Sequence, residues 1–99
     1  MLNLNHMYPN DFKIPEQVEQ DLLACLEWAL ASKTSYAPYA VTYIKAVPQA
    51  IVEGHHFGSM EQALKTQVLY VLSNLTGMTV KNMAEAKNIK ARLKAYATR

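Results

Sequence analysis

Hydrophobic positions recur at helical spacing in four stretches of this chain. In the first, Val18, Leu22, Cys25, Leu26, Ala29 and Leu30 trace one face of a helix. In the second, Tyr36, Tyr39, Ala40, Tyr43, Ile44, Val47, Ile51 and Val52 do the same. The third stretch, Ser59 to Leu75, reads SMEQALKTQVLYVLSNL and is apolar on nearly every side at Val68, Leu69, Tyr70, Val71 and Leu72. A helix that is apolar all round is a buried one. In the fourth, Ala86, Ile89, Leu93 and Tyr96 share a face. The pattern predicts an all-α fold: a compact four-helix bundle, a single domain over 1–99, with a central buried helix at 59–75. Residues 1–14 show no sustained period and read as a short N-terminal arm, its Leu2, Leu4, Met7, Phe12 and Ile14 either a packed strap or a frayed end.

Punctuation residues place the boundaries. Tyr8-Pro9-Asn10-Asp11 is a turn signal within the arm. Pro15 suits a first helical turn, and Glu16, Glu19 and Asp21 follow where the helix dipole favours negative charge. The second helix is expected over 35–53. Pro38 falls in its first turn, but Pro48 falls inside and removes the bond to the Ile44 carbonyl, so the helix is expected to kink or split there, with a kinked helix the reading adopted. Gly54 fits the position just past that helix. Ser59 and Gln62 form an S-x-x-Q capping box that starts the third helix. Gly77 ends it, and Thr79 caps a fourth helix running to about Ala97. Lys65, Thr66 and Gln67 are the polar strip of the third helix, and Gln67 is expected to find a hydrogen-bond partner inside the domain or at a dimer interface.

Composition narrows the class. Hydrophobic residues are 51% of the chain and charged residues 18%. So few charges on a small domain point to apolar surface covered by a partner protein or by a second copy, a homodimer. One cysteine rules out an intramolecular disulfide, and Cys25 on a core face reads as a small hydrophobe. No run approaches the ~18 apolar residues of a membrane span, and the first residues lack the form of a signal peptide, so no membrane partner is expected and a cytoplasmic location is the default. Charge is polarised: residues 1–30 carry five acids against Lys13, whereas residues 79–99 carry six bases against Glu85. The two ends either neutralise each other across a helix pair or between subunits, or the basic end meets a polyanion.

Candidate chemistry is sparse. There is no G-x-S-x-G, H-E-x-x-H or paired-carboxylate motif, so no catalytic residue is assigned and no enzyme is expected. Adjacent His55 and His56 point apart in a turn, and no further ligands converge on them, so neither a metal nor a cofactor is expected. His55, His56, Gly58, Ser59 and Lys65 are candidates for an anion or nucleotide site at the start of the third helix, although no P-loop is present. Lys87, Lys90, Arg92 and Lys94 on the fourth helix are candidates for nucleic-acid contact, with dipole-favoured, solvated cations as the plainer account. Tyr36, Tyr39 and Tyr43 form a ridge that serves as boundary packing, an interaction surface or a stacking platform. Trp28 lies off the stripe of the first helix, as intramolecular cover or as an interface anchor.

ALKTQVLYVLSNL at 63–75, AKNIKARLKAY at 86–96 and TYIKAVPQAIVEG at 42–54 carry a resemblance to small uncharacterised all-helical proteins encoded by phages and prophages, spanning residues 39–96. The resemblance implies a non-enzymatic protein of a phage or mobile element that binds host or phage macromolecules. The expected function is therefore a non-catalytic interaction protein that self-associates and binds a host or phage protein. The alternatives are nucleic-acid binding through the basic C-terminal helix and anion or nucleotide binding at the start of the third.

Overall fold

Helix boundaries in the computed structural model, which describes residues 4–5, 7–75 and 83–99, follow the prolines and caps closely. α1 spans Glu16–Ala31 directly after Pro15, with Glu16 and Glu19 in its first turn. It ends at Ser32, which is extended and turns the chain by accepting the Thr34 N–H on its hydroxyl at 3.2 Å. α2 spans Ala37–Lys45 and α3 spans Val47–His56, each with a proline in its first turn. α4 spans Met60–Ser73, and α5 spans Met83–Thr98. Among the described residues there are five α-helices and no strand.

The kinked helix expected over 35–53 is two helices. Pro48 has no N–H for the Ile44 carbonyl. The chain responds at Ala46: its N–H closes α2 on the Thr42 carbonyl at 3.0 Å, and its own carbonyl opens α3 by accepting the Ala50 N–H at 2.9 Å. Pro48 thus sits in an opening turn, where a missing donor costs nothing. Gly54 also differs from expectation. It is buried inside α3 and ends no helix. A Cβ there would lie 2.4 Å from the Ala63 Cβ and 2.8 Å from the Ser59 carbonyl oxygen, so the glycine is what lets α3 lie against the start of α4. The residue that turns the chain is Gly58, with φ +117°. Ser59 caps α4 as its spacing predicts, its hydroxyl accepting the Gln62 N–H at 3.1 Å.

α4 packs against α2, α3 and α5, while α1 packs against α2 and α5. The centre holds Leu22, Cys25, Ile44, Val47, Ile51, Leu64, Val68, Val71 and Leu93, all without exposed surface. A Cα radius of gyration of 13.0 Å matches the about 13 Å of a compact 100-residue domain. α4 is less enclosed than its sequence suggests. Val68 and Val71 face the core, but Leu69 and Tyr70 are exposed, so the apolar run covers a core face and an open flank together.

The described part of the arm is a strap. Leu4, Tyr8 and Ile14 are buried, while Met7 points to solvent. The Asn5 side chain pins the strap: Nδ2 donates to the Ile14 carbonyl at 3.0 Å and Oδ1 accepts the Ile14 N–H at 2.8 Å. The Asn5 N–H reaches Glu19 on α1 at 3.0 Å. Pro9–Asp11 forms a single 3-10 turn with Asn10 and Asp11 at positive φ, which these residue types tolerate. The expected contributions of Leu2, Gly77 and Thr79 lie outside the described residues.

Candidate interaction surface

Tyrosine placement on α2 follows from helical phase. Ala37, Ala40 and Ile44 form the buried face, and Tyr36, Tyr39 and Tyr43 fall one step to its side. Tyr36 is 58% exposed and Tyr39 60%. Tyr43 is half-buried, and its ring meets that of Tyr70 on α4 at 5.6 Å between centroids. Tyr70 is thus a fourth member of the ridge. Sequence reasoning assigned it to the core, because it lies within an unbroken apolar run. Beneath this pair, Gln67 Nε2 donates to the Tyr43 carbonyl at 2.7 Å, the internal partner that a buried amide requires.

Gln67 also lines a hollow of about 410 Å³ between α3 and α4, bordered by Ala50, Glu53, Phe57, Gly58, Ser59 and Thr66 among others. This is the region where an anion site was expected, and of the expected residues Gly58 and Ser59 border it while His55, His56 and Lys65 do not. Lys65 lies on another side of α4: it pairs with Glu61 at 3.4 Å, donates to the Arg99 carbonyl at 3.3 Å and sits 5.6 Å from the centre of the Tyr96 ring. His55 and His56 are exposed in the last turn of α3, where a helix end favours positive charge, and they do not line the hollow. Of the lining residues, the one that carries a charge is Glu53, which opposes an anion.

The basic helix is also redistributed. Arg92 binds Asp21 of α1 through two hydrogen bonds, Nε to Oδ2 at 3.1 Å and Nη2 to Oδ1 at 2.9 Å. Gln17 adds a third donor to Oδ1 at 3.0 Å. Asp21 is only 3% exposed, so Arg92 is committed to its neutralisation and leaves the set of nucleic-acid candidates. The bonds to Asp21 hold the Arg92 guanidinium above its ordinary pKa. A sequence signal that Asp21 needs a partner existed: it falls at the edge of the apolar stripe, between Val18 and Cys25, and a carboxylate there needs one. Lys87, Lys90 and Lys94 remain as a row along α5, with no carboxylate within ion-pair distance among the described residues.

Trp28 is half-buried and packs on the core from α1, which fits the covering role. Burial, followed by the Asp21 charge, pushes the Cys25 thiol up to about 12, so it is protonated and unreactive at neutral pH. Tyr96 is likewise raised, first by burial and then by Glu61. Among the described residues no three His, Cys, Asp or Glu side chains are grouped to hold a metal, and no helix is long and apolar enough to cross a membrane. Comparison with known protein families, curated proteins and solved structures yields no match.

Proposed function

We propose that this chain is a non-catalytic interaction protein of a phage or mobile element, that it self-associates, and that its contact surface is the tyrosine face shared by α2 and α4. One observation carries the reading: the face is aromatic and free of charge. Residues 35–44 contain no charged side chain, and neither do residues 66–75. Tyr36, Tyr39, Tyr43 and Tyr70 come from these two segments. Interface centres are depleted in charge and enriched in tyrosine, which offers a rigid apolar ring with one hydroxyl to satisfy. A neutral face also meets its own copy without like-charge repulsion. A host or phage protein with a similar apolar patch is the second partner of the same face.

Light scattering on the purified chain tests the proposal. At protein concentrations on the order of 100 µM, an affinity of even ~8 kcal/mol keeps a dimer assembled. The expected mass is about twice 11.1 kDa, falling on dilution. A single 11.1 kDa species across the whole range removes self-association.

A further inference from the structure

Gln67 is nine-tenths enclosed, yet the fold uses half of its amide. Nε2 donates to the Tyr43 carbonyl at 2.7 Å, and this fixes the orientation of the group, because the nitrogen is the end that can face a carbonyl. Oε1 accepts no hydrogen bond among the described residues. No fully enclosed side-chain oxygen or nitrogen there lacks a partner, so Oε1 reaches solvent. Gln67 lines the hollow of about 410 Å³ between α3 and α4, and the hollow is where that oxygen opens.

The rest of the lining has the same preference for a donor. Glu53 and Phe57 lie one turn apart at the end of α3, so carboxylate and ring stand side by side on one wall. One Glu53 oxygen accepts from Gln49 at 3.1 Å, and the other has no donor among the described residues. Phe57 is 89% exposed, so its ring offers an open face. Thr66 adds a hydroxyl from α4, and Ala50, Gly54 and Ala63 supply the apolar part of the lining. The start of α4, which favours an anion, and the end of α3, which favours a cation, border the hollow together. Their dipoles, about half a charge each, offset one another, and the full charge of Glu53 decides the sign.

We infer that the hollow is a binding site for a guanidinium, the head of an arginine side chain on a partner protein, held by the Glu53 carboxylate, Gln67 Oε1 and the Phe57 ring. A guanidinium has five donors in one plane and no acceptor, which suits separated acceptors that bring no donor of their own. It is weakly hydrated and stacks on aromatic rings, whereas a lysine ammonium is a strongly hydrated point charge. The hollow is open on one side. A free small molecule is held by enclosure, but a side chain anchored to a chain outside enters an open site equally well. The site is separate from the tyrosine face and stands whether or not the chain self-associates.

NMR titration of the full chain with the peptide acetyl-Gly-Arg-Gly-amide tests the site. The same peptide with lysine or citrulline is the comparison, since citrulline keeps the shape of arginine without its charge. The arginine peptide is expected to shift the backbone amide signals of Gly54, Phe57 and Gly58 and the side-chain amide of Gln67, saturating at concentrations on the order of 10 mM. Citrulline is expected to bind roughly fivefold more weakly. Glu53→Gln weakens the arginine peptide by a similar factor, and Phe57→Ala by about threefold. Both side chains are exposed, so the circular dichroism spectrum stays unchanged. Equal binding of the citrulline peptide, or an unchanged affinity in Glu53→Gln, means that the hollow holds solvent only and overturns the inference. Shifts centred on Glu16 or Glu27, away from the hollow, show non-specific attraction and overturn it too. A lysine peptide that matches the arginine one overturns the choice of guanidinium.

Discussion

The α3–α4 and α1–α5 junctions hold the same small core together by different physics. At the first, Gly54 removes a side chain so that Ala63 and the Ser59 carbonyl come close, and attraction comes from dispersion between small groups. At the second, the start of α1 faces the end of α5 across a polar clasp, where the buried Asp21 is held by Arg92 and Gln17. The steric junction depends on the absence of atoms. The clasp depends on the presence of a charge that would be costly alone. A buried ion pair adds little net stability over an apolar pair of similar shape, but it penalises every arrangement in which Asp21 loses its partner. The contrast teaches that close packing supplies adhesion in this bundle, while the clasp decides which face of α5 meets α1.

Breaking the steric side is expected to have the largest effect. Gly54→Ala puts a methyl group against another Cβ and a backbone oxygen, neither of which can swing aside. The helix-propensity gain of about 1 kcal/mol is outweighed, and urea unfolding is expected to show a loss of about 2–3 kcal/mol. A midpoint at or above that of the unaltered chain would show that the close approach is not what glycine serves. Breaking the clasp ranks second. Arg92→Ala leaves Asp21 with Gln17 as its protein donor, and the midpoint falls by less than for Gly54→Ala, because Arg92 is half-exposed and water reaches the gap. Arg92→Lys recovers only part, since an ammonium cannot make the two-point contact. Asp21→Leu combined with Arg92→Ala recovers more than Arg92→Ala alone. If the double variant is no better than the single, the pair contributes through something other than the uncompensated carboxylate.

The effect that is smallest at neutral pH is the titration of the Cys25 thiol, which is felt only under alkaline conditions and sharpens the contrast. The Cys25 thiol, beside Asp21 on α1, is raised from 9.0 to about 12 in the folded chain, so the native state keeps a proton that the unfolded state releases. Its contribution is complete below about pH 9 and is lost as pH rises towards 12. Melting temperatures of the natural chain should therefore fall more steeply between pH 8.5 and 11 than those of Cys25→Ala, whatever their difference at pH 7. Parallel slopes would mean that burial of the thiol is not felt in stability.

Much of this was legible in the sequence, for local reasons. Helical spacing found the buried face of α5 and most of that of α1, where Leu30 is exposed instead; it placed Ala40, Ile44, Val47 and Ile51 inward but added Tyr36, Tyr39 and Val52, which are exposed, and the Ser59–Gln62 spacing found a real cap. Gln67 was expected to seek an internal partner, because an amide on an apolar helix must. Gly54 was misread since a glycine late in a helix looks the same whether it ends the helix or makes room for a neighbour. Pro48 signalled a disturbance, but whether a helix bends or restarts is decided by tertiary packing on either side of Ala46. Leu69 and Tyr70 passed for core because an unbroken apolar run hides which flank is left open. That Asp21 needs a partner was legible, but that the partner is Arg92 lay furthest out of reach, since no periodicity connects residues on different helices.

That last pair has a consequence for the order of events in time. Gly54 and Ala63 are nine residues apart, whereas Asp21 and Arg92 are separated by 71. Loop-closure entropy grows with the logarithm of length, so the clasp closes at an extra cost of about 2 kcal/mol. The α3–α4 hairpin is reached by a short search and the α1–α5 contact by one that gathers nearly the whole chain. Arg92 thus belongs to the closing step of folding, where its loss speeds unfolding and leaves the folding rate nearly untouched, a partition that the two arms of a chevron plot separate. The clasp acts as a latch on a chain already collapsed, and what it governs is how long the finished molecule stays shut.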